Sequence, residues 1–99
     1  MTKVQITGKM WNEIVALQDR LVLLHNGFEE KKMYLTWHLS PWIGLFDCTL
    51  YNMEDDRIGD RVDGFVWYFD AELEGRTKNE ALDKIVEWEK KYGLLDAEH

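Results

Sequence analysis

Apolar residues recur along this chain with two different periods, and the change of period marks out its elements. Trp11, Ile14, Leu17, Leu21 and Leu24 follow the three- and four-residue spacing of a buried helix face, with Val15 and Val22 widening the stripe. Thr7-Gly8 precedes this helix, and Asn26-Gly27 predicts its end, because both residues tolerate the left-handed backbone of a C-terminal cap. The period then drops to two. Met33, Leu35, Trp37 and Leu39 alternate with Tyr34, Thr36, His38 and Ser40, which predicts a strand. Ser40-Pro41-Trp42 reads as a tight connection. A second strand follows, with Phe46, Cys48 and Leu50 on one side and Asp47, Thr49 and Tyr51 on the other. The charged run Glu54 to Gly64 reads as a loop. A third strand begins at Phe65 and sets Phe65, Trp67, Phe69 and Ala71 against Val66, Tyr68, Asp70 and Glu72. Helical spacing returns with Ala81, Leu82, Ile85, Trp88 and Tyr92.

The last helix has the clearest local punctuation. Thr77 and Glu80 stand in the spacing of a capping box, which predicts a helix start at Thr77. Lys90 and Lys91 suit the negative end of the helix dipole, and Gly93 suits the C-terminal cap. Before the first helix, Val4 and Ile6 alternate, as in a short edge strand or a lead-in.

The order is helix, strand, strand, strand, helix: an α+β fold in one domain over residues 1–99, with a three-stranded antiparallel meander. Each helix has one apolar stripe. Both are therefore expected on the same sheet face, leaving the other open. An exposed edge of such a sheet could pair with itself or with another chain, so a dimer through a sheet edge is one option.

Composition adds constraints. With 45% hydrophobic and 13% aromatic residues, the chain can form a core, and five tryptophans favour both a small core and a binding surface. The single cysteine, Cys48, allows no disulfide within the chain and no zinc site of several thiolates. No basic-then-apolar leader and no apolar run of about 20 residues is seen, so the expectation is a cytoplasmic protein that does not span a membrane.

Charge is unevenly spread. Residues 1–50 hold five basic and five acidic residues; residues 51–99 hold seven and fourteen. The whole net charge of −7 thus falls in the second half. Between Glu54 and Glu74 there are eight acids and two arginines. Such a surface repels nucleic acid and membranes and attracts a basic protein. The candidate partner-binding residues are Glu54, Asp55, Asp56, Asp60, Asp63, Asp70 and Glu72, with Tyr34, Tyr51 and Tyr68 from the open sheet face. Solubility alone is the competing explanation for the acids.

Chemistry is sparse. His38 with Asp47 and Asp70 matches no metal-ligand spacing, and the acids of the 54–64 run do not fall at the ligand positions of a calcium loop. Cys48 is expected in the core, His25 at a helix end. No nucleophile triad, phosphate-cradling glycine loop or dinucleotide fingerprint is visible. The expectation is a protein that is not an enzyme and uses no cofactor.

The order of elements resembles the double-stranded-RNA-binding domain. In that family the start of the last helix is lysine-rich. Here it reads Thr77-Lys78-Asn79-Glu80-Ala81-Leu82-Asp83-Lys84, with acids interleaved, so no RNA-binding residue carries over. The segment around Gly75, Thr77, Glu80 and Ala81 is similar to one in HicB-type antitoxins and in small phage α/β sandwich proteins. That resemblance implies a phage or mobile-element accessory protein. Two functional expectations follow. One is a phage-encoded inhibitor that blocks a host nucleic-acid-binding defence complex of the CRISPR type through acidic and aromatic surface. The other is an antitoxin-like or regulatory module paired with a small basic protein.

Overall fold

The computed structural model describes residues 6–70 and 72–93. Its elements are helix α1 (Gly8–Glu30), strands β1 (Met33–Ser40), β2 (Leu45–Glu54) and β3 (Arg57–Tyr68), and helix α2 (Glu74–Lys91). The sheet is antiparallel in the order β1-β2-β3. The expected α-β-β-β-α architecture is what the chain adopts. The proposed alternation at Val4 lies outside the described residues; Ile6 packs against the core.

α1 begins at Gly8, directly after Thr7. The Thr7 hydroxyl accepts the Met10 N–H at 3.2 Å. Asn26-Gly27 does not end it, and the helix continues to Glu30. The reason is Phe28, which extends the stripe Ile14, Leu17, Leu21, Leu24 and is 0% exposed. Its ring lies edge-on to Trp88 at 6.2 Å and to Tyr92 at 5.1 Å. Burying a phenylalanine contributes about 1.5–3 kcal/mol, whereas an interior glycine costs about 1 kcal/mol, so packing overrides the stop signal. The reversal falls instead at Lys32, which takes the left-handed backbone at φ +58°. Trp11, Val15 and Val22, expected to join the buried stripe, are exposed.

The core lies between the helices and one sheet face. Leu35, Phe46, Cys48, Leu50, Phe65 and Trp67 come from the strands, and Ala81, Ile85 and Trp88 from α2. α1 packs over β1 and α2 over β3, on the same face.

Both boundaries of β3 differ from expectation. The run 54–64 is not a loop. Asp55 and Asp56 alone form the turn, at φ +47° and +66°, and β3 starts at Arg57. Two left-handed residues make the two-residue turn whose twist suits a hairpin. Two register shifts, around Tyr51, interrupt the β2–β3 pairing and break the alternation that would have advertised the strand. β3 also ends earlier, at Tyr68.

α2 begins one turn before Thr77, and no capping box forms. Leu73 is the N-cap residue and makes no side-chain cap bond. Thr77 is buried, donates its hydroxyl to the Leu73 carbonyl at 2.7 Å, and accepts the Tyr68 N–H at 3.0 Å. It clasps the end of β3 to the first turn of α2. The C-terminal end is as predicted, with Gly93 at φ +68°.

Candidate partner-binding surface

The hairpin joining β2 and β3 gathers part of the acidic run at one end of the sheet. Glu54, Asp55, Asp56 and Asp60 are all exposed there, and none is held in an ion pair among the described residues. Arg57 is the one cation between residues 54 and 60, so this tip carries four acids against one base, net −3. The second arginine of the run, Arg61, folds the other way. Its guanidinium lies against Gly64, where an added Cβ would come within 2.8 Å of it.

The tip is not an isolated finger. The Met53 N–H donates to the Lys32 carbonyl at 3.0 Å, tying the β2 end of the hairpin to the turn between α1 and β1. Tyr34 and Tyr51 face one another across β1 and β2 on the open sheet face, one step from this end. Between these parts lies a hollow of about 550 Å³. His25 and Glu29 of α1, Lys32, Met33 and Tyr34, and Met53, Asp55 and Asp56 line it. It joins an acidic wall to a soft, partly aromatic floor. Six of the ten proposed partner residues therefore share this end of the molecule.

The other four do not. Asp63 lies on the helix-covered side of β3 and serves the fold. One of its oxygens accepts the Trp88 indole N–H at 3.0 Å and faces Lys84 Nζ at 3.1 Å; the other accepts the Gly64 N–H at 2.8 Å. Partial burial pulls this carboxyl upward, but the hydrogen bonds from Trp88, Gly64 and Lys84 outweigh it and hold the group below its ordinary value. Asp70 is not on the open face. It closes the turn into α2, its side chain accepting the Glu72 N–H at 2.8 Å and its carbonyl accepting from Glu74. Tyr68 and Glu72 lie near it. At ~3.3 Å per strand residue, this group is roughly 35–40 Å from the hairpin tip.

Several carboxylates on the helices are neutralised locally. Glu13 and Glu74 flank Lys78, Glu89 meets Arg20 at 2.6 Å, and Glu87 meets Lys84. The Glu13–Lys78 and Arg20–Glu89 pairs bridge α1 and α2 across an apolar cleft of about 200 Å³ floored by Leu17, Trp67 and Leu82. Contacts with Glu13 and Glu74 raise the Lys78 ammonium above its ordinary range.

On the open sheet face His38 pairs with Asp47. His38 Nδ1 and Asp47 Oδ1 are 2.9 Å apart and exposed, in direct cross-strand register. No cluster of three or more metal-ligating side chains occurs among the described residues. Cys48 is buried on the core face as expected. Burial, with Asp47 beside it, pushes its thiol well above the ordinary range, away from thiolate chemistry. No helix among the described residues is long and apolar enough to cross a membrane.

Sequence pattern missed His25, Glu29, Lys32, Met33 and Met53 as companions of the tip. They come from three elements, and the α1–β1 turn and the β1–β2 register bring them together. At the opposite end, the β1–β2 turn presents Trp42, 76% exposed, and Ile43. No protein-family model, curated protein or solved structure matches the chain.

Proposed function

We propose that this chain is a non-enzymatic binding protein whose β2–β3 hairpin tip engages a basic protein. The observation that carries the reading is that Glu54, Asp55, Asp56 and Asp60 stand together without ion-pair partners among the described residues, beside a hollow floored by Met33, Tyr34 and Met53. Elsewhere Glu13, Asp63, Glu74, Glu87 and Glu89 are tied to lysines, arginines or backbone N–H groups, and the remaining acids do not gather four to a tip. Unpaired carboxylates at one site give a directional field, which steers a cationic partner and speeds its encounter. Met and Tyr beside them supply apolar contact for the stems of arginine or lysine side chains. In its most specific form, the protein is a phage-encoded inhibitor that occupies a host surface otherwise used to grip phosphates.

The test is affinity capture from the native host with wild-type protein and with a D55N/D56G/D60N variant. Asn-Gly preserves the left-handed turn while removing its charges. A basic protein that is retained by the wild type, released by salt and lost with the variant supports the reading. Equal retention by both proteins refutes it.

A further inference from the structure

The two edges of the sheet are built differently. β3 is broken by two register shifts and carries Arg57, Asp60, Arg61 and Asp63. Bulges and charges are the devices that stop an edge strand from pairing with another chain. β1 has neither. Its eight residues pair with β2 in unbroken register, and within the strand there is no proline and no lysine, arginine or carboxylate. Its outer backbone groups can be identified. Lys32 accepts from Met53, so Lys32 and Met53 form a hydrogen-bonded pair. Alternation then turns the N–H and C=O groups of Met33, Leu35, Trp37 and Leu39 outward. Among the described residues no strand covers them.

An exposed helix stripe stands beside this edge. On α1, Glu13 and Arg20 reach toward α2, through Lys78 and Glu89. Trp11, Val15 and Val22 lie about 100° round the helix from the buried stripe, on the side away from α2. Because α1 covers β1 and α2 covers β3, that side overhangs the free edge of β1. Trp11, Val15, Gln18 and Val22 follow the four-three-four spacing of a helix–helix seam. Trp11 is 50% exposed, Val22 46% and Val15 40%. Below them Met33, Trp37 and Leu39 are only half-buried. Strand edge and helix stripe thus form one apolar flank.

We infer that this flank is the interface of a two-fold symmetric dimer, with a second copy of this chain as its occupant. The argument for self-association is that the Val15–Val22 pair and β1 are centred at about the same height. The Val15–Val22 pair of the stripe is centred between Gln18 and Asp19, roughly 17 Å along α1 from the α1–β1 turn at 1.5 Å per residue. The centre of β1, at Thr36-Trp37, is roughly 15 Å from that turn at 3.3 Å per residue. One axis can therefore pass through both. It pairs β1 antiparallel with its copy, giving a continuous six-stranded sheet, and sets Val15 against Val22 of the partner subunit. Glu29, in line with the stripe, then approaches the positive N-terminal end of the partner's α1. The flank is about 26 Å long and about 20 Å deep, and with side-chain relief it approaches the ~800 Å² per partner of a stable interface. Both hairpin tips stay at the outer ends of the dimer, although Met33 and Glu29 belong to the flank as well as to the hollow beside the tip; sedimentation reads oligomeric state alone, so the dimer stands or falls apart from the proposed function.

Sedimentation of the wild type should give twice the 11.8 kDa chain mass. V15E/V22E places like charges across the axis at exposed positions. It should sediment as a monomer with an unchanged circular dichroism spectrum, and V15K/V22K should do the same. Mixed in equal amounts, the two variants should return to dimer. Hydrogen exchange should show the Leu35 and Trp37 amides protected in the wild type and faster in the monomeric variants. A wild type that remains monomeric at every concentration, or a V15E/V22E protein that remains dimeric, overturns the inference.

Discussion

Replacing Asp63 by alanine tests how β3 is fastened to α2. The carboxylate accepts the Trp88 indole N–H at 3.0 Å and faces Lys84 at 3.1 Å. Trp88 is wholly buried. D63A leaves its N–H without an acceptor, which costs about 1–3 kcal/mol. The Lys84 contact adds less. Both side chains are about a quarter exposed (28% and 27%), and solvent screening limits such a pair to about 1 kcal/mol or below. The expected loss is therefore about 2–3 kcal/mol, or roughly 10–15 °C in Tm for a domain of this size. D63N retains an acceptor for the indole and should lose about 1 kcal/mol. W88F removes the donor, so D63A should cost less in that background than in the wild type. The pH dependence has a definite sign. The Asp63 carboxyl is held below its ordinary value of 3.8 in the folded state, so its share of stability is present above that pH and disappears as pH falls through the folded value. Lys84 is held above 10.5 by Asp63 and Glu87, so its share is full below 10.5 and is lost as pH rises through the folded value. The gap between wild type and D63A should be flat near neutrality and shrink at both extremes. Urea denaturation followed by tryptophan fluorescence measures it. A D63A protein as stable as the wild type, or costs of D63A and W88F that simply add, would refute this account of the junction.

Other junctions give further expectations. T77V removes the acceptor for the Tyr68 N–H and should cost about 1–2 kcal/mol, while T77S, which keeps the hydroxyl, should cost less; chemical denaturation separates them. G64A places a Cβ 2.7 Å from the Cys48 carbonyl oxygen on the neighbouring strand, which cannot move aside as the Arg61 side chain can. The expected loss, read by thermal melting, is about 1–3 kcal/mol. D56G relaxes a residue at φ +66°; relief of about 1–2 kcal/mol of left-handed strain outweighs the roughly 0.5–1 kcal/mol of chain entropy that glycine costs, so the melting temperature should hold or rise slightly. Cys48 should resist thiol reagents in the folded protein and react on unfolding, as a chromogenic disulfide reports.

Periodicity carried the architecture. Three- and four-residue spacing located both helices, and clean alternation located β1 and the core half of β3. Where the reading failed, long-range contacts had outvoted a local signal. Asn26-Gly27 looked like a helix end because nothing nearby in sequence announces that Phe28 meets Trp88 and Tyr92. Arg57 to Gly64 looked like a loop because charge and two bulges hide the alternation of an edge strand. Thr77 looked like a cap, yet its hydroxyl is taken by Leu73 and Tyr68. The acidic run was legible as composition but not as a surface. Register and packing split it, sending Asp63 beneath α2, leaving Asp70 and Glu72 at the far end, and keeping Glu54, Asp55, Asp56 and Asp60 together. The hollow beside them could not be read locally, since His25 and Asp56 meet only after the chain has passed through α1, β1 and β2.

The functional claim rests on those four carboxylates acting as a site rather than as dispersed charge. Titrating isotope-labelled protein with an octa-arginine peptide, residue by residue in two-dimensional NMR, addresses it directly. The account predicts shifts concentrated at residues 54–60 and at Tyr34 and Tyr51, suppressed by salt and absent in D55N/D56G/D60N. Shifts of equal size at Asp70, Glu72 and the acids of α2 would contradict it.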